Sequence, residues 1–113
     1  MIDAAIVVAP LPSRRAFAAE LHSTFRMQLD AATTCDAEMV EFTDSRASDA
    51  YEQFALTFLA PPATPPLQKM YQLDHPRLGS IELLLVPIGR DARGVYLQAA
   101  FNRLLDASIS EDL

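Results

Sequence analysis

From Thr24 onward, apolar and polar residues alternate with a period of two, the spacing of strands with one covered face. Phe25, Met27 and Leu29 alternate with Arg26 and Gln28. Glu38 to Thr43 forms a second run, read with Val40 and Phe42 on one face. Gln53 to Leu59 is a third, with Phe54, Leu56 and Phe58 together. A fourth runs from Lys69 to Asp74, with Met70 and Gln72 on one face and Tyr71 and Leu73 on the other. In the fifth, Ser80 to Ile88, Ile81, Leu83 and Leu85 share a face. Leu84 and Val86 make its second face apolar too, so this strand is expected to be central or covered on both sides. The sixth runs from Val95 to about Leu104, with Val95, Leu97, Ala99 and Phe101 aligned.

The punctuation between these runs is informative. His75-Pro76-Arg77-Leu78-Gly79 predicts a tight turn, because proline presets φ near −65° and glycine accepts positive φ. Pro87 predicts an edge or a bulge, since it has no N–H to give a ladder. The segment from Pro61 to Pro66 holds four prolines and predicts a stiff, polyproline-like loop around the domain end. A ligand for a proline-recognising module is the other reading of that segment. Asp44 to Tyr51 is polar and small, a loop. Ala31 to Asp36, which holds Cys35, is also read as a loop.

Before the strands, Ser13 can cap a helix running to His22, with Phe17 and Leu21 four apart on one face. The expected fold is therefore mainly β with some α. One short N-terminal helix (13–22) precedes about six antiparallel strands (24–104), which form a small barrel or a strongly curled sheet. No crossover helix is available to join parallel strands, so a meander is expected. The helix would cover one mouth or the open side. Residues 1–12 read as an N-terminal arm and 105–113 as an acidic tail, within a single domain spanning 1–113.

Composition narrows the function classes. The net charge of −6 argues against nucleic acid and anionic lipid as partners. The single cysteine, Cys35, cannot form an intrachain disulfide and suits a cytoplasmic setting. The apolar run Ala4 to Ala9 is too short for a membrane span, and Asp3 stands where a signal peptide would be basic.

The segment from Leu67 to Gly89 carries a resemblance. Pro66-Leu67-Gln68, Tyr71-Gln72-Leu73-Asp74-His75-Pro76, Leu78-Gly79, the strand ending Val86-Pro87-Ile88-Gly89, and later Tyr96 with Phe101-Asn102 resemble an uncharacterised bacterial domain family. Its pattern is near LPQxxYxLxHPxLG, then VPxG, then YxAxFN. The likeness runs from about residue 17 to 103. Where the family commonly has a glycine before its first strand, this chain reads Leu21-His22-Ser23-Thr24. The resemblance implies no activity. It associates such domains with genes for phage tail-collar-like surface proteins, and so implies an accessory or assembly role.

Candidate chemistry is sparse. A metal site needs three or four converging ligands, and His22 and His75 stand far apart in sequence. Glu38, Glu41, Glu52 and Glu82 occupy outward positions rather than a cleft. No serine has an elbow-like glycine context, and no glycine loop cradles phosphate. No catalytic residue, metal or cofactor is expected. The expected function is a non-catalytic binding or assembly module with a protein partner, either a tail-collar-like protein or a second copy of the chain. Its surface is drawn from Gln68, Tyr71, His75, Leu84, Val86 and Tyr96. Two other readings remain: a ligand-binding or enzymatic barrel using Gln68, Tyr71 and His75, and an acidic immunity or inhibitor protein.

Overall fold

A computed structural model describes residues 11–44 and 51–104. The expected arm over 1–10, the middle of the loop after Asp44, and the expected tail lie outside the described residues. The elements are α1 (Arg14–Ala18), β1 (Thr24–Asp30), β2 (Thr33–Asp44), β3 (Tyr51–Ala60), β4 (Lys69–His75), β5 (Gly79–Asp91) and β6 (Gly94–Leu104). The six strands close into an antiparallel barrel in the order β1-β2-β3-β6-β5-β4. The mainly β expectation and the barrel therefore hold.

The connectivity differs from a single meander. There are two three-stranded meanders, β1-β2-β3 and β4-β5-β6. They join where β3 pairs with β6 and β1 pairs with β4. The proline-rich segment is what makes this possible: it carries the chain from the end of β3 across one barrel mouth to the start of β4. Proline blocks a direct hairpin there because it cannot donate to a ladder.

Inward positions follow the alternation. Phe25, Met27, Phe54, Leu56, Phe58, Tyr71, Leu73, Ile81, Leu83, Leu85, Val95, Leu97 and Ala99 are all buried. The second strand departs from its expected phase. Met39 pairs with Phe58 and Phe42 with Leu56, and the register shifts between Met39 and Glu41. Val40 is the extra residue of a β-bulge, so Met39 and Phe42 point inward in place of the Val40–Phe42 face. β2 also starts earlier than expected. Only Ala31 and Ala32 form the turn, and the Asp30 carboxylate accepts the Ala32 N–H at 2.8 Å. Cys35 is thus a strand residue opposite Met27.

The Pro76 turn forms as read, with Gly79 at φ 77°. Pro87 does sit at a bulge, with Ile88 as the extra residue. Pairing nevertheless continues to Asp91 opposite Gly94. Gly94 is at φ 151°, and a Cβ there would lie 1.9 Å from the Ala60 carbonyl oxygen. The close approach of the two meanders at this corner therefore requires glycine.

The helix is shorter than expected. Ser13 Oγ accepts the Ala16 N–H at 3.1 Å, as an N-cap should. After Ala18 the chain turns away through two tight turns, and Leu21 is left exposed. Phe17 is the buried residue of α1 and plugs the barrel mouth. Its ring lies 6.1 Å from Phe54 and 5.5 Å from Phe101, and Phe54 stacks on Phe101 at 4.5 Å. Arg14 fastens the helix by reaching Asp44 at 2.6 Å and Glu52 at 3.2 Å. One end of the barrel is thus closed by aromatic packing and the other by the proline-rich cap.

Candidate functional site

The described residues present two groupings of interest: an apolar stripe on the outer wall and a polar cluster inside the helix-capped mouth.

The stripe comes from the outward positions of β4 and β5. Met70 sits directly opposite Leu84. Val86 follows two residues on and shares its face, and Ile88 protrudes as the unpaired residue of the bulge. Their exposures are 57% for Met70, 49% for Leu84, 36% for Val86 and 52% for Ile88. Single exposed apolar residues are ordinary, whereas a contiguous patch marks an interaction site. The expected cover over the second face of β5 is absent among the described residues, because α1 packs over the mouth and not the wall. The patch is rimmed by Gln72, Glu82 and Gln98, the last opposite Val86.

The polar cluster joins residues far apart in sequence. His75 is buried at the end of β4, with its ring 4.4 Å from that of Phe25. Its Nδ1 accepts the Arg77 N–H at 3.1 Å and the Leu78 N–H at 3.4 Å. Those two bonds place its proton on Nε2. Nε2 faces Ser23 Oγ at 3.0 Å and Glu20 Oε1 at 3.3 Å. The Ser23 hydroxyl in turn donates to the Glu20 carbonyl at 2.7 Å. Arg77 grips the Glu20 carboxylate with two bonds, 2.8 and 2.6 Å long. Hydrogen bonding from Arg77 and the charges of Arg77 and His75 overcome burial and hold Glu20 down to about 2. Burial pushes the His75 imidazole below its ordinary value, with Glu20 opposing and Arg77 adding to the fall.

Serine, histidine and glutamate side by side suggest a nucleophilic triad, but the bonding pattern is wrong for one. A triad imidazole donates from one nitrogen to the carboxylate and accepts the serine proton on the other. Here serine and carboxylate share Nε2, and Nδ1 is occupied by backbone donors. His75 therefore braces the turn after β4, the role its position beside Pro76 suggests.

The other sequence-derived candidates do not gather in one place. Tyr71 points into the barrel and donates to the Leu67 carbonyl at 2.6 Å. Gln68 is exposed just before β4. Tyr96 donates to Asp91 at 2.9 Å across the β5–β6 turn. Only Leu84 and Val86 are brought onto one surface. Of the four glutamates weighed as carboxylate pairs, Glu52 is taken by Arg14 and Glu38 stands 3.5 Å from His22. Burial raises the Cys35 thiol above its ordinary value, which lowers its thiolate fraction and its reactivity.

Sequence reading missed Glu20, Ser23 and Arg77. Glu20 and Arg77 are 57 residues apart, and no local spacing announces such a pair. Which face of β4 turns outward was left open by its sequence, so Met70 was missed as well, and Ile88 becomes prominent only through the bulge. Among the described residues no group of three or more His, Cys, Asp or Glu side chains is placed to hold a metal. Nor is any helix there long and apolar enough to cross a membrane.

Residues 12–101 match the model of one family, described as a domain of unknown function, DUF6916. No curated protein and no solved structure matches the chain.

Proposed function

The chain belongs to the DUF6916 family, and from that premise we propose that it is a non-catalytic docking module that binds a protein partner through the outer wall of β4 and β5. The observation that carries this reading is the stripe of Met70, Leu84, Val86 and Ile88. A closed barrel has no free strand edge, so strand addition is not its natural mode of binding. With one mouth plugged by Phe17 and the other bridged by the proline cap, the wall is the broad apolar surface left for a protein among the described residues. Glu82 on the rim and a net charge of −6 disfavour a second copy, since a two-fold interface would bring both Glu82 carboxylates into it. The favoured partner carries an apolar ridge with basic flanks. A tail-collar-like surface protein, the partner class implied by the resemblance, is the first to try.

The test compares wild type with Leu84→Glu for binding to such a surface protein. Leu84 points outward, so the thermal midpoint should stay close to wild type. Affinity should fall by about tenfold or more, as expected for a central apolar contact. Equal affinity for the two proteins removes this reading. The acidic charge favours a second one, an inhibitor of a basic protein. Binding that collapses with salt yet ignores Leu84→Glu would select it.

A further inference from the structure

A cavity of about 560 Å³ opens at the end of the barrel opposite α1, beneath the proline-rich cap. It lies where the barrel seam parts. β1 and β4 pair only at Arg26–Asp74 and Met27–Leu73. Beyond that point the strands diverge, and Leu29 and Lys69 line the opening. The remaining wall includes Cys35, Pro61, Ala63, Thr64 and Leu67.

The cap is held open by its own bonds. The Thr64 N–H donates to the Pro61 carbonyl at 3.0 Å, and the Leu67 N–H to Pro65 at 2.9 Å. Arg90 reaches the Thr64 carbonyl at 3.4 Å, and Tyr71 holds the Leu67 carbonyl from inside the barrel. Thr64 is only 2% exposed. Prolines fix φ along the segment, so the loop has little freedom to collapse into the space. A preformed, mostly apolar concavity of a few hundred Å³ with a few fixed polar groups is the usual form of a small-molecule site.

The charges on its wall are already engaged. Lys69 Nζ bridges the seam by donating to the Leu29 carbonyl at 2.6 Å, and it stands 5.2 Å from the centre of the Tyr71 ring. Asp30 accepts the Ala32 N–H. Hydrogen bonds from Ala32 and Thr33, and the charge of Lys69, hold its carboxyl below the ordinary value. One cation and one anion therefore offset each other at the wall. A charged ligand meets a like charge on the same wall as its counter-charge, whereas an apolar one gains from leaving water. The ammonium still has N–H groups for one acceptor on the ligand.

We propose that the cavity beneath the proline-rich cap is a binding site for a small, uncharged, largely apolar molecule bearing a single hydroxyl or carbonyl. It is independent of the outer stripe, and either site can fail without the other.

The test uses the full chain and amide-resolved NMR. Cyclohexanol, benzyl alcohol and acetophenone are the neutral probes; benzoate and benzylammonium are the charged counterparts. The neutral probes should produce saturable shifts confined to Leu29, Cys35, Ala63, Thr64 and Leu67. The charged pair should bind about tenfold more weakly or worse, the loss expected for one uncompensated contact. Ala63→Trp, at an exposed position on the cap, should fill the space and abolish the shifts. In wild type the same neutral probes should slow alkylation of Cys35 by iodoacetamide, which needs no variant to fold. Shifts scattered over the surface, no saturation with any neutral probe, equal binding of benzoate, or unchanged Cys35 reactivity would each overturn the proposal.

Discussion

His22 is the one non-glycine residue among those described with positive φ, at 74°. It stands just before β1, in the left-handed region that glycine adopts most readily. The Cβ of an L-residue crowds the carbonyl in this region, and glycine has no such conflict. The conformation is enforced from outside, because the His22 N–H donates to the Met39 carbonyl at 2.7 Å. His22→Gly should therefore stabilise the fold by about 0.5–1 kcal/mol, the local strain relieved less the greater freedom glycine gives the unfolded chain. Urea unfolding measures it, and a loss of stability would show that the His22–Glu38 contact matters more. Glu20 and His75 make a second prediction at this scale. Both ionise at lower pH folded than unfolded. Each therefore contributes stability that is complete above its unfolded value and is lost as the pH falls toward its folded one. Stability should decline first below about 6.5, where His75 begins to protonate in the unfolded chain, and more steeply between 4.5 and about 2 as Glu20 follows. Glu20→Gln should flatten the lower limb and, by removing the charge that opposes the fall of the His75 value, extend the upper one. A low-pH limb unchanged in Glu20→Gln would mean that other carboxylates set it.

The strands are not equally secure. β3 and β6 pair at ten positions, whereas β1 and β4 meet at two. Local opening follows such differences in pairing. Hydrogen exchange should therefore be slowest in β3 and β6 and fastest, among strand amides, toward the parted ends of β1 and β4. Lys69→Met removes the side-chain clasp on the Leu29 carbonyl, and should speed exchange around Leu29 by roughly fivefold to tenfold, the equivalent of one hydrogen bond. Equal protection of the seam and of β3–β6 would show that the barrel opens only as a whole. The same element scale explains the mistaken phase of β2. Strict alternation put Val40 and Phe42 together, but one extra residue inverts the pattern beyond it. β5 carries the same device at Ile88, and there Pro87 gave warning. Nothing in Glu38 to Thr43 did.

At the scale of the molecule, closure decides what the surface can do. Joining β1 to β4 removes both sheet edges and sends the apolar surplus of β5 outward. A helix of 5 residues is enough to plug one mouth, since Phe17 meets Phe54 and Phe101 there, but it is too short to cover the wall as well. The docking reading depends on that division of labour. The surplus at Leu84 and Val86 was visible in the strand itself, and its exposure followed only once the helix was spent on the mouth.

The sequence by itself determined six strands, their inward residues in four of them, the turn at Pro76–Gly79 and the Ser13 cap. These are set by contacts within a few residues, through side-chain alternation and the fixed φ of proline. Tertiary structure alone decided the pairing of β3 with β6, the joining of buried Glu20 and His75 to exposed Arg77, the bulge at Val40 and the cavity at the parted seam. Each depends on residues that meet only when the barrel closes, and no local spacing encodes a partner dozens of positions away.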